Sequence, residues 1–278
     1  MIEFLRETLL LLPFLFATYI VLEAMEARAG GALENFLERA RSVGPAAGAL
    51  AGAIPQCGVS AAAASLYAGG AITVGTLLAV FLSTSDELIP VLISQRVPVS
   101  LLVKIVGIKV VAALAVGFLV SGTLTFIRHK RRSVSVGELC RHSRCGCTER
   151  SGIFVPALIH TAEIFAFIVV ISGAIELCMH WFGEDCLNTL RLNRPFFGEL
   201  AAGALGMIPN CAVSVAGAKL YLAGAMSPGA LMASSFTGSG LGLLVLFRTN
   251  RNMKENLAIL ASVYFSGVVL GFLTGYLL

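Results

Sequence analysis

The chain has 278 residues, of which 57% are hydrophobic and 13% charged, with a formal net charge of +4 and a mean hydropathy of +0.86. A soluble domain carries roughly a quarter charged residues, so this composition excludes a soluble globular protein and predicts an all-α integral membrane protein with the lipid bilayer as its main partner. A nucleic-acid partner is not expected, and with no nucleotide-binding fingerprint or soluble catalytic domain visible, neither is an enzyme.

Long runs low in charge cover 8–22, 99–127, 152–183 and 256–278, and several reach the roughly 20 residues a helix needs to cross about 30 Å of hydrocarbon. They lack the dyad alternation of barrel strands. No signal-peptide pattern stands out at Met1, so the mature chain is expected to begin there. In chain order the first predicted element is the helix FLRETLLLLPFLFATYIVLE, ending at Glu23. A polar connection over 24–43 follows, then two shorter Gly/Ala-rich segments interrupted near Pro55 and Ser83, and a closing helix over 99–127. After a basic connector the order recurs: ALIHTAEIFAFIVVISGAIE ending at Glu176, a connection over 183–195, segments interrupted near Pro209 and Thr237, and a last helix over 256–278.

That recurrence is an internal repeat. At an offset of 154 positions, residues 52–86 and 206–240 share 16 identities in 35, including the ungapped blocks P-x-C-x-V-S and L-Y-x-x-G-A. Shared Ala/Gly/Leu background does not explain such spacing. The predicted domains are an N-terminal transmembrane repeat (1–127), a connector (128–151) and a C-terminal repeat (152–278), each repeat with about five helical segments. An odd number of crossings per repeat would invert the second copy. Placing the connector inside puts 13 of the 20 Lys and Arg in the inner loops 24–43, 128–150 and 248–255, as the positive-inside rule requires. The expected localisation is the cytoplasmic membrane, both termini outside and the connector cytoplasmic. A homodimer is compatible with this arrangement.

Inverted repeats with paired Gly/Pro interruptions point to a secondary transporter whose ion sits near the midplane. A break frees backbone groups that lipid does not satisfy, so they line a cavity or meet a ligand. After the first breaks come Gln56, Cys57 and Ser60, then Asn210, Cys211 and Ser214. The second breaks supply Ser83, Thr84, Ser85, Asp86 and Glu87 in one copy and Thr237, Gly238 and Ser239 in the other. Small residues also serve close helix packing, and single serines bond back to their own helix; the matched clusters favour a binding site. Asp86 and Glu87 have Gly240 and Leu241 as counterparts, so the site is asymmetric. Intramembrane acids default to function, as coupling-ion or substrate ligands. Further intramembrane candidates are Glu7, Lys104, Lys109, His160, Glu163 and Lys219, the last able to offset Asp86, meet an anion, or snorkel to an interface.

Cys140, His142, Cys145 and Cys147 write C-x-H-x-x-C-x-C in the connector, four soft ligands that suit Zn(II) or Cu(I), against the alternative of a solvated linker. Cys57 and Cys211 are the duplicated thiols, with packing the competing explanation. Cys178 and Cys186 are candidates for an external pair.

The P-x-C phrase, LSTSDELIPVL at 82–92, the Cys/His connector and the HT at 160–161 together resemble the ten-helix heavy-metal exporter family, also labelled manganese transporter or arsenic efflux protein. The resemblance implies an efflux permease of two inverted halves, with Thr84, Ser85, Asp86 and Glu87 at the transport site. FTGSGLG in the second copy departs from it by lacking an acid. Because the duplicated groups are mostly neutral donors, they favour an oxyanion such as phosphate or arsenate, bound at helix N-termini and hydroxyls with Na+ or H+ as coupling ion. Divalent-metal (manganese) or arsenite efflux is the alternative, and an ion channel or a membrane sensor a further one. No cofactor is required beyond the coupling ion and a metal in the connector.

Overall fold

The structure, a computed structural model, describes residues 43–54, 57–84, 88–94, 97–127, 196–209 and 211–277, with scattered positions between 13 and 20 and between 158 and 170. Every regular element among the described residues is a helix. In chain order these are α1 (Val43–Gly52), α2 (Cys57–Ala68), α3 (Val74–Ser83), α4 (Leu88–Ser94), α5 (Val99–Ile127), α6 (Phe197–Gly206), α7 (Cys211–Leu222), α8 (Pro228–Thr237), α9 (Gly242–Thr249) and α10 (Met253–Gly275). Each of α1 to α5 starts 154 residues before its counterpart among α6 to α10.

The two blocks shared by the repeats are the start and the stop of one helix. Pro55 and Pro209 lie two residues before the first residues of α2 and α7, where a missing N–H costs no helical bond. The L-Y-x-x-G-A block is a Schellman stop. Gly70 takes φ 77° and Gly224 φ 73°; Gly70 N–H donates to the Tyr67 carbonyl at 3.0 Å and Ala71 N–H to Leu66 at 2.8 Å, with Gly224 to Tyr221 and Ala225 to Leu220 repeating the pattern. Thr73 and Ser227 then cap α3 and α8, each side chain accepting from an N–H three residues on.

Both long helices are apolar on all sides, as helices in lipid are. On α5 the buried stripe is Leu102, Ile105, Lys109, Ala112 and Ala113, while Val99, Val103, Val111 and Leu119 are exposed. On α10, Ile259, Val263, Gly267, Gly271 and Thr274 face inward, and Leu257, Phe265, Val269 and Leu273 outward. The spans Val99–Thr123, Pro228–Thr249 and Met253–Gly275 are long and apolar enough to cross a membrane. The chain is an all-α integral membrane protein.

Glycines bring the helices close enough to hold the breaks in register. A Cβ on Gly117 of α5 would lie 2.9 Å from the Ala79 Cβ of α3, and one on Gly271 of α10 would lie 2.5 Å from the Ala233 Cβ of α8. Each post-break helix packs on the opposite half: α9 on α2, and α4 on α7. Among the described residues, α3 also meets α8 and α10, and α10 touches α5, adding to the contact between the halves.

Candidate functional site

Two half-helices end where the halves meet. α3 stops at Ser83 and α8 at Thr237, and the N–H groups of Thr84 and Gly238 close the last turns on Val80 and Ser234 at 3.0 and 2.9 Å. The hydroxyls here bond back to their own helices. Ser83 Oγ and Thr84 Oγ1 donate to the Val80 carbonyl at 3.0 and 2.7 Å, and Thr237 Oγ1 donates to Ala233 at 3.0 Å. These are second bonds to carbonyls inside the helix, the usual way serine and threonine hydroxyls satisfy themselves in a helix. Ser239 differs: it is 1% exposed and its Oγ has no hydrogen-bond partner among the described residues.

Between the breaks lies a cavity of about 20 Å³, room for on the order of one water. Thr84 and Leu88 contribute from the first half, and Gly206, Ser214, Ser234, Ser235 and Gly238 from the second. Of the residues predicted from sequence, Thr84, Ser214 and Gly238 therefore come together at one cavity, with Ser83, Thr237 and Ser239 buried beside its walls in the chain. Ser60 is fully buried on the opposite side, where a Cβ on Gly242 would lie 2.9 Å from the Ser60 Cβ and 2.6 Å from the Phe81 ring. Cys57 and Cys211 open α2 and α7. Lys219 is exposed in the last turn of α7 and does not line the cavity. Gln56, Ser85, Asp86, Glu87, Asn210 and the connector residues Cys140, His142, Cys145 and Cys147 lie outside the described residues.

The cation at this junction is Lys109, which the sequence marks only as an intramembrane candidate. It is 0% exposed on α5. Its Nζ donates to the Thr84 carbonyl, to the Ser235 carbonyl at 2.8 Å and to Ser235 Oγ at 2.7 Å, and lies 5.8 Å from the Phe236 ring centroid. Carbonyl dipoles and a ring face are what an ammonium needs when it gives up water. One side chain thus joins the end of α3 to the end of α8.

Residues 9–151 match the family described as "Putative, 10TM heavy-metal exporter". The chain belongs to this family. No curated protein and no solved structure matches it. The stretch matched to the exporter family carries Ser60, Thr84 and Lys109, whereas Ser214, Ser234, Ser235 and Gly238 complete the junction from the second half.

The repeat shows what sequence comparison alone misses in this exporter-family chain. At the 154-residue offset Lys109 corresponds to Val263, Ser235 to Phe81, Thr84 to Gly238 and Leu88 to Gly242. Val263 and Phe81 are both 0% exposed and belong to one apolar cluster. The same backbone junction is therefore polar and charged on one side and filled with hydrocarbon on the other. Ser234, Ser235 and Lys109 stand where the copies disagree, whereas Ser214 and Gly206 stand where they agree.

Proposed function

We propose that the chain is a secondary-active exporter that moves a small inorganic ion through the junction of the two helix breaks by alternating access. The observation that carries this reading is the Lys109 bridge between the ends of α3 and α8 beside a cavity lined from both halves. Room for about one water is too little for cargo, so the breaks must separate to admit an ion and close again after its release. Broken helices meeting at the midplane of repeated halves are the recurrent device for this motion.

The cargo we favour is an oxyanion such as phosphate or arsenate. Ser214, Ser234 and Ser235 line the cavity, the Ser239 hydroxyl is buried with no partner among the described residues, and Lys109 supplies a fixed positive charge. Hydroxyls on the wall, with a cation bonded to Ser235 behind them, suit an anion that must exchange hydration for fixed dipoles. Asp86 or Glu87, two and three positions after Thr84, would hold a coupling Na+ or H+. The family description favours a second reading, efflux of a heavy-metal cation such as Mn(II) or of arsenite; there Asp86 and Glu87 would be cargo ligands.

Purified protein in liposomes loaded with phosphate, arsenate, arsenite or Mn(II) separates these readings. Oxyanion flux that follows an imposed Na+ or pH gradient is the expected result. Transport of Mn(II) or arsenite with no oxyanion flux would move the assignment to the second reading, and gradient-independent flux at channel rates would remove the transporter assignment. Asp86→Asn adds an internal check: under the oxyanion reading it stops gradient-driven accumulation but spares cargo counterflow, and under the Mn(II) reading it stops both.

A further inference from the structure

Away from the cavity, α6 carries a buried carboxylate outside the functional assignments made so far. Glu199 lies in the first turn of α6 and is 5% exposed. Its Oε1 is 3.5 Å from Ser227 Oγ, and its Oε2 has no hydrogen-bond partner among the described residues. The pocket around it is made by absence of side chains: a Cβ on Gly229 would lie 2.6 Å from Glu199 Oε1 and 3.3 Å from the Gly271 carbonyl oxygen. Gly275 backs this corner, its own Cβ position being 2.7 Å from the Gly229 Cα. Carboxylate, hydroxyl and carbonyl oxygens therefore converge where three helices are held together by glycine.

No basic group answers this acid among the described residues. The helices packed on α6 are α8, α10 and α7. α8 has no titratable side chain. On α10, Tyr264 donates its hydroxyl to the Leu200 carbonyl at 3.2 Å. Lys254 and Glu255 sit at the far end of that helix, 17 and 16 residues from Gly271, roughly 25 Å at the helical rise. On α7, Lys219 is exposed, and Cys211 and Tyr221 are the other titratable side chains. A carboxylate buried with one hydroxyl partner and no basic group among the described residues is a ready ligand for a small cation. Its position in the repeat is again one-sided: the counterpart of Glu199 is Pro45.

We propose that Glu199, with Ser227 Oγ and the Gly271 carbonyl, forms a second site for a coupling cation, H+ or Na+, separated from the cavity by the length of α8. That length is ten residues, or about 15 Å at the helical rise. The inference rests on the gradient-driven exporter reading, and binding itself is measurable without transport. Difference infrared spectroscopy on the full-length protein in lipid should show a protonated-carboxyl C=O band that is lost as pH rises or as Na+ is added, and that is missing in Glu199→Gln. Loss with pH alone assigns the proton, and loss on adding Na+ at fixed pH assigns Na+. A Glu199→Gln spectrum identical to wild type, or a band unmoved by both, overturns the site. In liposomes Glu199→Gln should lose about tenfold or more in gradient-driven accumulation while keeping cargo counterflow within about twofold. Accumulation equal to wild type overturns the coupling role, whereas absence of flux in the wild type itself would indict the exporter reading and leave the infrared result to decide the site.

Discussion

Replacing Lys109 by methionine is expected to reduce cargo flux at least 100-fold and to destabilise the protein by about 1–3 kcal/mol, the usual cost of leaving buried acceptors without their donor. Methionine keeps the length and apolar stem but leaves the Thr84 and Ser235 carbonyls and Ser235 Oγ without the ammonium. Liposome flux reads the first effect and thermal unfolding of the purified variant the second. Lys109→Arg keeps the charge but forces a larger, planar group into a fully buried space. It should fold better than the methionine variant and still transport poorly. Near wild-type flux in a folded Lys109→Met protein would remove the residue from the mechanism.

Gly206→Ala is expected to cost about 1–3 kcal/mol, in the range for overpacking a tight interior, and to slow transport by more than that loss of stability alone would. The added methyl would lie 2.2 Å from the Ser234 carbonyl oxygen and 2.4 Å from Thr237 Oγ1, pressing on the end of α8 at the cavity wall. Gly52→Ala should act alike at the other break, where the methyl meets Ser83 Oγ at 2.1 Å and the Val80 carbonyl oxygen at 2.6 Å. Gly107→Ala supplies the control, since nothing lies within 4 Å of its Cβ position. There the substitution should leave flux unchanged and hold or slightly raise the melting temperature, because alanine favours a helix over glycine. Equal flux in Gly206→Ala and Gly107→Ala would show that the end of α8 is more compliant than its packing implies.

Much of the architecture is readable from residues because each signal is local. Proline before a helix, L-Y-x-x-G-A after it, and a polar residue before α3 and α8 each act on the backbone within a few positions. They mark helix starts and stops wherever the chain later packs. The breaks near Ser83 and Thr237 are legible for the same reason. Membrane class follows from composition alone, since all-round apolar helices of this length suit only lipid.

The composition of the site was less legible. Hydroxyls counted as ligands at Ser83, Thr84 and Thr237 bond to their own helix carbonyls, a local role that a sequence pattern does not separate from ligation. Lys219 and Lys109 both read as intramembrane lysines, yet one is exposed and the other fully buried. Distance along a chain says little about which of them faces another helix.

By itself, then, the sequence determined the bilayer as solvent, the helical class, the duplication and the places where helices break, because composition and short-range backbone chemistry set those. Only the tertiary structure decided that Lys109, Thr84 and Ser235 meet across as many as 151 positions of chain, that the counterparts Val263 and Phe81 pack in one apolar cluster, and that Glu199 is buried with a single hydroxyl partner among the described residues. Those facts depend on which faces the glycine contacts of α5, α8 and α10 press together, and packing of that kind is a property of pairs of helices that no single stretch of residues records.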